Sequence, residues 1–185
     1  MKNIVCLVEE LSAKEMLKGI LSRLMPDVKP YFVVFEGKQD LEKQLVSKIK
    51  YWQKPDSSFL VLRDQDSGDC VKIKNRLLEL CEKTGKKGIL VRIACRELES
   101  FYFGDLDAAE KGLKFARGSL KKHSKKAKYR IPDDIVNVSN ELDKITGGIY
   151  QKVSGSRAIG KHLSIDKNTS ASFNALVVGL KKLRY

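Results

Sequence analysis

The sequence has no run of more than six apolar residues, far short of a membrane-crossing helix. Its start, MKNIVCLVEE, carries one lysine, a very short apolar stretch and no small-residue cleavage site, so it reads as a first strand rather than a leader. The expected location is the cytoplasm, with no membrane partner. Cysteine is scarce: Cys6, Cys70, Cys81 and Cys95 show no C-x-x-C spacing, which speaks against both zinc and a disulfide framework. Two of them sit inside apolar runs, where a reduced thiol acts as a small hydrophobe. The only histidines, His123 and His162, are isolated from one another and read as surface residues rather than catalysts. One stretch lacks acids altogether. Residues 111–131 hold nine Lys or Arg and no Asp or Glu, with Phe115 and Tyr129 interspersed.

What is present describes a soluble globular chain. At 185 residues there is enough for one sizeable core and too little for two ordinary domains. With 36 basic against 23 acidic residues the formal charge is +13, which favours an anionic partner such as nucleic acid without proving one. Continuous apolar runs at Ile4 to Val8, Tyr31 to Phe35, Phe59 to Leu62 and Ile89 to Ala94 mark strands buried on both faces, as in a parallel sheet. Segments of helical spacing lie between them. The first opens with Ser12 and Glu15 in capping-box spacing and stops at Pro26; the second carries Leu41, Leu45, Val46, Ile49 and Trp52; the third carries Val71, Leu77, Leu78 and Cys81. The expectation is an α/β fold, a Rossmann-like parallel sheet of about four strands flanked by helices.

After Ala94 the pattern turns helical around Leu98 to Leu113 and Ser139 to Ile145. A glycine-containing stretch, GGIYQKVSGSRAIGKH, suggests turns, and an amphipathic helix with Phe173, Leu176, Val177 and Leu180 follows. The division expected is a core over residues 1–105, with residues 106–185 a basic segment and helical extension on the same core. Phe101, Tyr102 and Phe103 are most simply core.

The strand ends are acidic. Glu9 and Glu10 follow the first strand, Asp64 and Asp66 the third, and Glu97 and Glu99 come shortly after the fourth. In an open parallel sheet, function gathers beyond the carboxyl ends of the strands. If strands one and three are neighbours, these clusters converge, and carboxylates so placed repel unless a cation intervenes. Oxygen-only ligands suit Mg²⁺ or Mn²⁺. Plainer roles compete: Asp66 or Ser67 can cap the helix containing Val71, with Asp69 in its first turn. Arg63 and Arg96 can balance the acids or meet a phosphate, and Lys152, Arg157 and Lys161 either line a substrate or belong to a plain loop.

The LVEE strand end, the D-x-D of Asp64 and Asp66, and the segment RELESFYFGD together resemble TOPRIM-like proteins, akin to the TOPRIM domain of OLD-family nucleases, over most of the chain. The resemblance implies Mg²⁺-dependent cleavage or joining of phosphodiester bonds. It matches Glu9, Asp64 and Asp66 to the catalytic acids and metal ligands, with Glu97 and Glu99 as further ligands. Glu10 stands where TOPRIM proteins commonly have glycine. No helix-turn-helix, zinc ribbon or second domain with a topoisomerase-type tyrosine is seen, so a small nuclease fits better than a topoisomerase or primase. Lys121, Lys122, Lys125 and Lys126 would form a phosphate-binding flank, or else a solvated loop. A partner ATPase, in defence or repair, is a further implication. The alternative is a non-catalytic module with a degenerate acidic site that binds nucleic acid or protein. A phosphorelay receiver shares acids after strands one and three but needs a lysine after a later strand, and none is evident.

Overall fold

The computed structural model describes residues 2–183 and shows a four-stranded parallel sheet in the order β2-β1-β3-β4. The strands are β1 (Asn3–Val8), β2 (Lys29–Val34), β3 (Ser57–Asp64) and β4 (Ile89–Ala94). Helices α1 (Leu11–Leu24), α2 (Lys38–Lys50) and α3 (Cys70–Glu82) connect them. The rest of the chain forms α4 (Ser100–Phe103), α5 (Leu106–Gly112), α6 (Val138–Thr146), α7 (Lys152–Gly160) and α8 (Ala171–Leu183). None of these is long and apolar enough to cross a membrane, among the described residues.

Alternation along the strands builds two cores. Ile4, Cys6 and Val8 of β1 and Leu60 and Leu62 of β3 face α1 and the C-terminal helices. Val5, Leu7, Phe59 and Val61 face α2 and α3. This period of two inside continuous apolar runs is what burial on both faces of a sheet requires. It also decides the strand ends, since neighbouring residues there must leave the sheet toward opposite faces. β2 is an edge strand, and Pro30 is tolerated there because its missing N–H faces no neighbour.

Several local expectations differ from what is found. Ser12 and Glu15 do not form a capping box: Glu10 is the N-cap of α1, Ser12 Oγ donates to its carboxylate, and Glu15 instead accepts from Lys18 and Arg157. Asp69, not Asp66 or Ser67, caps α3, accepting from the Lys72 N–H at 2.9 Å. The helical stretch after Leu98 breaks at Gly104 and Asp105 into α4 and α5. The lysine-rich segment winds through short 3₁₀ turns at Lys121–Lys125 and Ala127–Tyr129.

The largest departure is in the glycine-containing stretch, most of which folds as helix α7. Gly147 and Gly148 do turn the chain, with φ of 61° and 81°, but Gly155 and Gly160 within the helix serve contact instead. A Cβ on Gly160 would lie 2.7 Å from the Met16 carbonyl oxygen, and one on Gly19 would lie 2.5 Å from the Gly160 carbonyl carbon. The backbones of α1 and α7 therefore meet directly. Arg23 secures the crossing, donating to the Gly19 carbonyl at 2.9 Å and to the Gly160 carbonyl at 3.0 Å. Arg157 adds an ion pair to the buried Glu15 at 2.6 Å, which holds that carboxyl below its usual range. Overpacking such a contact costs about 1–3 kcal/mol. Gly160→Ala and Gly19→Ala should each lower unfolding free energy by about that amount in urea titrations, while Ser154→Ala, on the exposed side of α7, should change it by less than about 0.5 kcal/mol.

Candidate active site at the carboxyl edge of the sheet

β1 and β3 pair directly, with Val8 opposite Leu62, so the residues that follow them share one edge. The Glu9 N–H donates to the Leu62 carbonyl, and the Glu9 carboxylate accepts from the Asp64 N–H at 3.2 Å. The ends of the two strands are thus tied by the residues in question.

The alternation of β3 then splits the acids into two groups. Arg63 turns toward the α2 face, buried at 8% exposure, and bridges Glu42 at 2.6 Å and Glu9 at 3.9 Å. Its role is charge balance. Asp66 stands on the same side, with its carboxylate 2.8 Å from Lys38 Nζ at the start of α2. Asp66 and Arg96 both adopt left-handed backbone, with φ of 55° and 63°, and the Asp66 N–H donates to the Arg96 carbonyl at 2.7 Å. Two non-glycine residues held in that region, each braced by the other's loop, are the kind of strain that clusters at working sites.

Asp64 belongs to the second group, with Glu10, Glu99 and Lys152. Burial raises the Asp64 carboxyl well above its usual range, and repulsion from Glu99, Glu10 and Glu9 adds to the effect. Glu99 is fully buried; its Oε1 accepts from the Tyr150 hydroxyl at 2.8 Å, and its Oε2 has no hydrogen-bond partner. Burial raises Glu99 as well, opposed by Lys152 and Tyr150. The Tyr102 hydroxyl is likewise buried without a partner. Burial alone would lower Lys152, but the fields of Glu99, Glu10, Asp64 and Glu97 together raise it. Its ammonium lies 3.8 Å from Glu10. Glu10, in the place where glycine was anticipated, therefore turns inward to this lysine.

Of the residues singled out by sequence, Glu9, Asp64, Asp66, Glu97 and Glu99 all lie on this edge. Among the described residues, however, no three acidic, histidine or cysteine side chains already surround one point closely enough to hold a metal ion. Lys38 and Lys152 occupy part of that role. The donor chemistry nonetheless fits a hard cation: the acids supply only oxygen, and the buried Glu99 Oε2 is left without a partner. Sequence reasoning missed Lys38 and Tyr150 and read Tyr102 only as core, because an isolated lysine in KQDLEK, a tyrosine in a polar stretch and another in the aromatic run FYF carry no signal of their own. Lys152 was within reach, but Arg157 pairs with Glu15 and Lys161 lies exposed on the far end of α7.

The lysine-rich segment has its own order. The buried Glu110 carboxylate accepts the N–H groups of Gly118, Leu120 and Lys121 at 2.7 to 2.9 Å, which holds it below the usual range despite burial. Lys121 pairs with Asp107 at 2.6 Å, while Lys122, Lys125 and Lys126 are exposed and have no carboxylate partner among the described residues. Tyr129 is core, stacked on Phe103 with ring centroids 4.9 Å apart.

A raised carboxyl has a defined consequence for stability. The folded state keeps the Asp64 proton to higher pH than the unfolded chain, so stability falls as pH rises from the ordinary aspartate range through the folded-state value. In metal-free protein Asp64→Asn removes that penalty. The variant should melt higher than wild type at pH 8, and the gain should shrink to nothing below about pH 4, measured by thermal unfolding in EDTA.

The same fold occurs in solved structures. The C-terminal region of the Burkholderia pseudomallei OLD protein superposes with a TM-score of 0.56 at 15% identity, covering 98% of each chain. The C-terminal region of the Xanthomonas campestris pv. campestris OLD protein gives 0.52 at 11% identity, covering 98% of this chain and 95% of that one. At such identity the likeness is one of fold. No curated protein matches. A family model matches residues 8–181, nearly the whole chain and every acid of the site: this protein belongs to the family described as domain of unknown function (DUF4276).

Proposed function

We propose that this chain is a TOPRIM-like, metal-dependent phosphodiesterase acting on nucleic acid, a nuclease. The observation that carries this reading is the desolvated acidic edge, where Asp64, Glu99, Glu10 and Glu9 repel one another beside Lys152. A structure does not keep raised carboxyls together for stability, and perturbed groups of this kind concentrate at functional sites. The likeness in fold to the C-terminal regions of OLD proteins supports a nuclease-related domain.

Glu9, Asp64 and Asp66, with Glu97 and Glu99, would hold Mg²⁺ or Mn²⁺. The cation would polarise the phosphoryl group and supply hydroxide at neutral pH. The chain's own groups do the rest. Glu9, bound to the Asp64 N–H, keeps the ends of β1 and β3 together and can accept a proton from attacking water. Lys152, half exposed, presents a positive charge where negative charge develops on phosphoryl oxygen. Tyr150 holds Glu99 in position. Lys122, Lys125 and Lys126 would carry the flanking phosphates. A partner ATPase is part of the proposal, on the strength of the resemblance alone.

One observation favours the non-catalytic alternative: Lys38 and Lys152 already neutralise Asp66 and Glu10 without any metal. The test separates the two. Saturating Mg²⁺ or Mn²⁺ should raise the melting temperature of the wild type, and much less so for Asp64→Asn or Asp66→Asn. Cleavage of DNA or RNA in Mn²⁺ should fall at least about 100-fold in Asp64→Asn and Lys152→Met. If metal neither stabilises the wild type nor supports cleavage, with or without a partner, the binding-module reading replaces this one. Charge reversal of Lys122, Lys125 and Lys126 should weaken nucleic-acid binding and flatten its dependence on salt, read by fluorescence anisotropy, with melting temperature unchanged.

A further inference from the structure

Two cavities adjoin on the side of α5, apart from the acidic edge. They enclose about 480 and 380 Å³ and share Asp107, Lys111 and Lys121 as a common wall. The first is completed by Glu110, Phe115 and Arg117. Lys167, His162, Ser124 and Thr169 line the second.

The charge here is less balanced than the residue types suggest. Glu110 is occupied by three N–H groups of the loop. Asp105, which also lines the second cavity, accepts from the N–H groups of Ala108 and Ser164. Asp107 pairs with a lysine of the shared wall, Lys121, at 2.6 Å. Lys111, Arg117 and Lys167 are exposed and have no carboxylate partner among the described residues. Lys111 thus stands on the wall common to both cavities, Arg117 lines the first beside Phe115, and Lys167 lines the second, while Phe115 itself is half-buried against the core. Because Glu110 folds the loop around itself, the cavity exists before any ligand arrives.

We propose that this pair of cavities binds a nucleoside phosphate, with the base against Phe115 and the phosphate held by Lys111, Arg117 and Lys167. Each cavity falls in the range of small-ligand sites, about 300–1,000 Å³. Aromatic and guanidinium planes accept any base by stacking, while ammonium groups hold phosphate oxygens as point charges. The phosphate comes either from a free nucleotide or from the phosphorylated end of a nucleic-acid strand. The second source rests on the nuclease reading; the pocket itself uses none of the acids of that site.

The experiment uses the full chain in EDTA, where no cleavage confounds binding. A fluorescein-labelled single-stranded oligonucleotide bearing a 5′-phosphate is compared with its 5′-hydroxyl twin by anisotropy, and AMP with inorganic phosphate by calorimetry. The 5′-phosphate strand should bind about tenfold tighter than its twin, the size expected for one added charge-assisted contact, and AMP about tenfold tighter than inorganic phosphate, through its base against Phe115. The double variant Lys111→Glu with Arg117→Glu should abolish the 5′-phosphate preference and weaken both AMP and inorganic phosphate without lowering the melting temperature, and Phe115→Ala should weaken AMP but not inorganic phosphate. A preference seen only with oligonucleotides identifies a strand end; one seen only with AMP identifies a free nucleotide. No preference in either arm, or a 5′-phosphate preference or AMP affinity that the double variant leaves unchanged, overturns the proposal. Asp64→Asn should keep the preference, so a wild type that shows it yet never cleaves would overturn the nuclease reading and leave the pocket standing.

Discussion

The acidic edge depends on how closely α7 can approach α1. Without side chains at Gly19 and Gly160 the two backbones touch, and Arg23 and the Glu15–Arg157 pair lock the crossing. That contact sets the start of α7 over the strand ends, and with it Lys152 and the preceding Tyr150. Any residue larger than glycine at the crossing would lift the helix by the width of a methyl group and carry both groups away from Asp64 and Glu99. Packing far from the acids therefore decides their electrostatics.

The acids themselves are costly. Asp64, Glu9 and Glu99 all sit where burial disfavours their charge, and each is repelled by other acids nearby. The chain answers from two directions: α2 supplies Lys38, and α7 supplies Lys152. Arg63, on the opposite face of β3 from Asp64, balances Glu9 and Glu42 from below. Lys38 and Lys152 are both half exposed, so they can exchange partners for a phosphate or yield to a divalent cation. Arg63 is buried and cannot. The site thus has a fixed floor and a movable rim, which is suitable for a ligand that brings charge of both signs.

The basic segment follows a separate logic. Its lysines are exposed while the backbone beneath them is held by one buried carboxylate, Glu110, and by the buried Leu120 and Tyr129. Of the two aromatics interspersed among its lysines, Tyr129 is core, and the one that remains partly open is Phe115, beside the cavities at α5. Charge density alone left the segment either a phosphate-binding flank or a solvated loop. Which cations are free to act, and beside which ring, follows from partners distant in sequence.

Much was legible in the chain. Continuous apolar runs of five residues can satisfy themselves only between two helical layers, so the parallel sheet and the acidic strand ends followed directly from the residues. The third and fourth acidic positions, Asp64 and Asp66, could be placed at a carboxyl edge for the same reason. What the sequence could not decide was which face each acid takes and which cation answers it. Asp64 and Asp66 read as a pair but divide between two groups, because the alternation of β3 and the left-handed turn at Asp66 send them apart. Glycines in KVSGSRAIG read as turns, since a local pattern cannot reveal that a second helix must pass within backbone contact. Lys152, Tyr150 and Gly19 come together only in three dimensions, and the charge state of the site is settled there, by desolvation and long-range pairing that no local stretch of residues encodes.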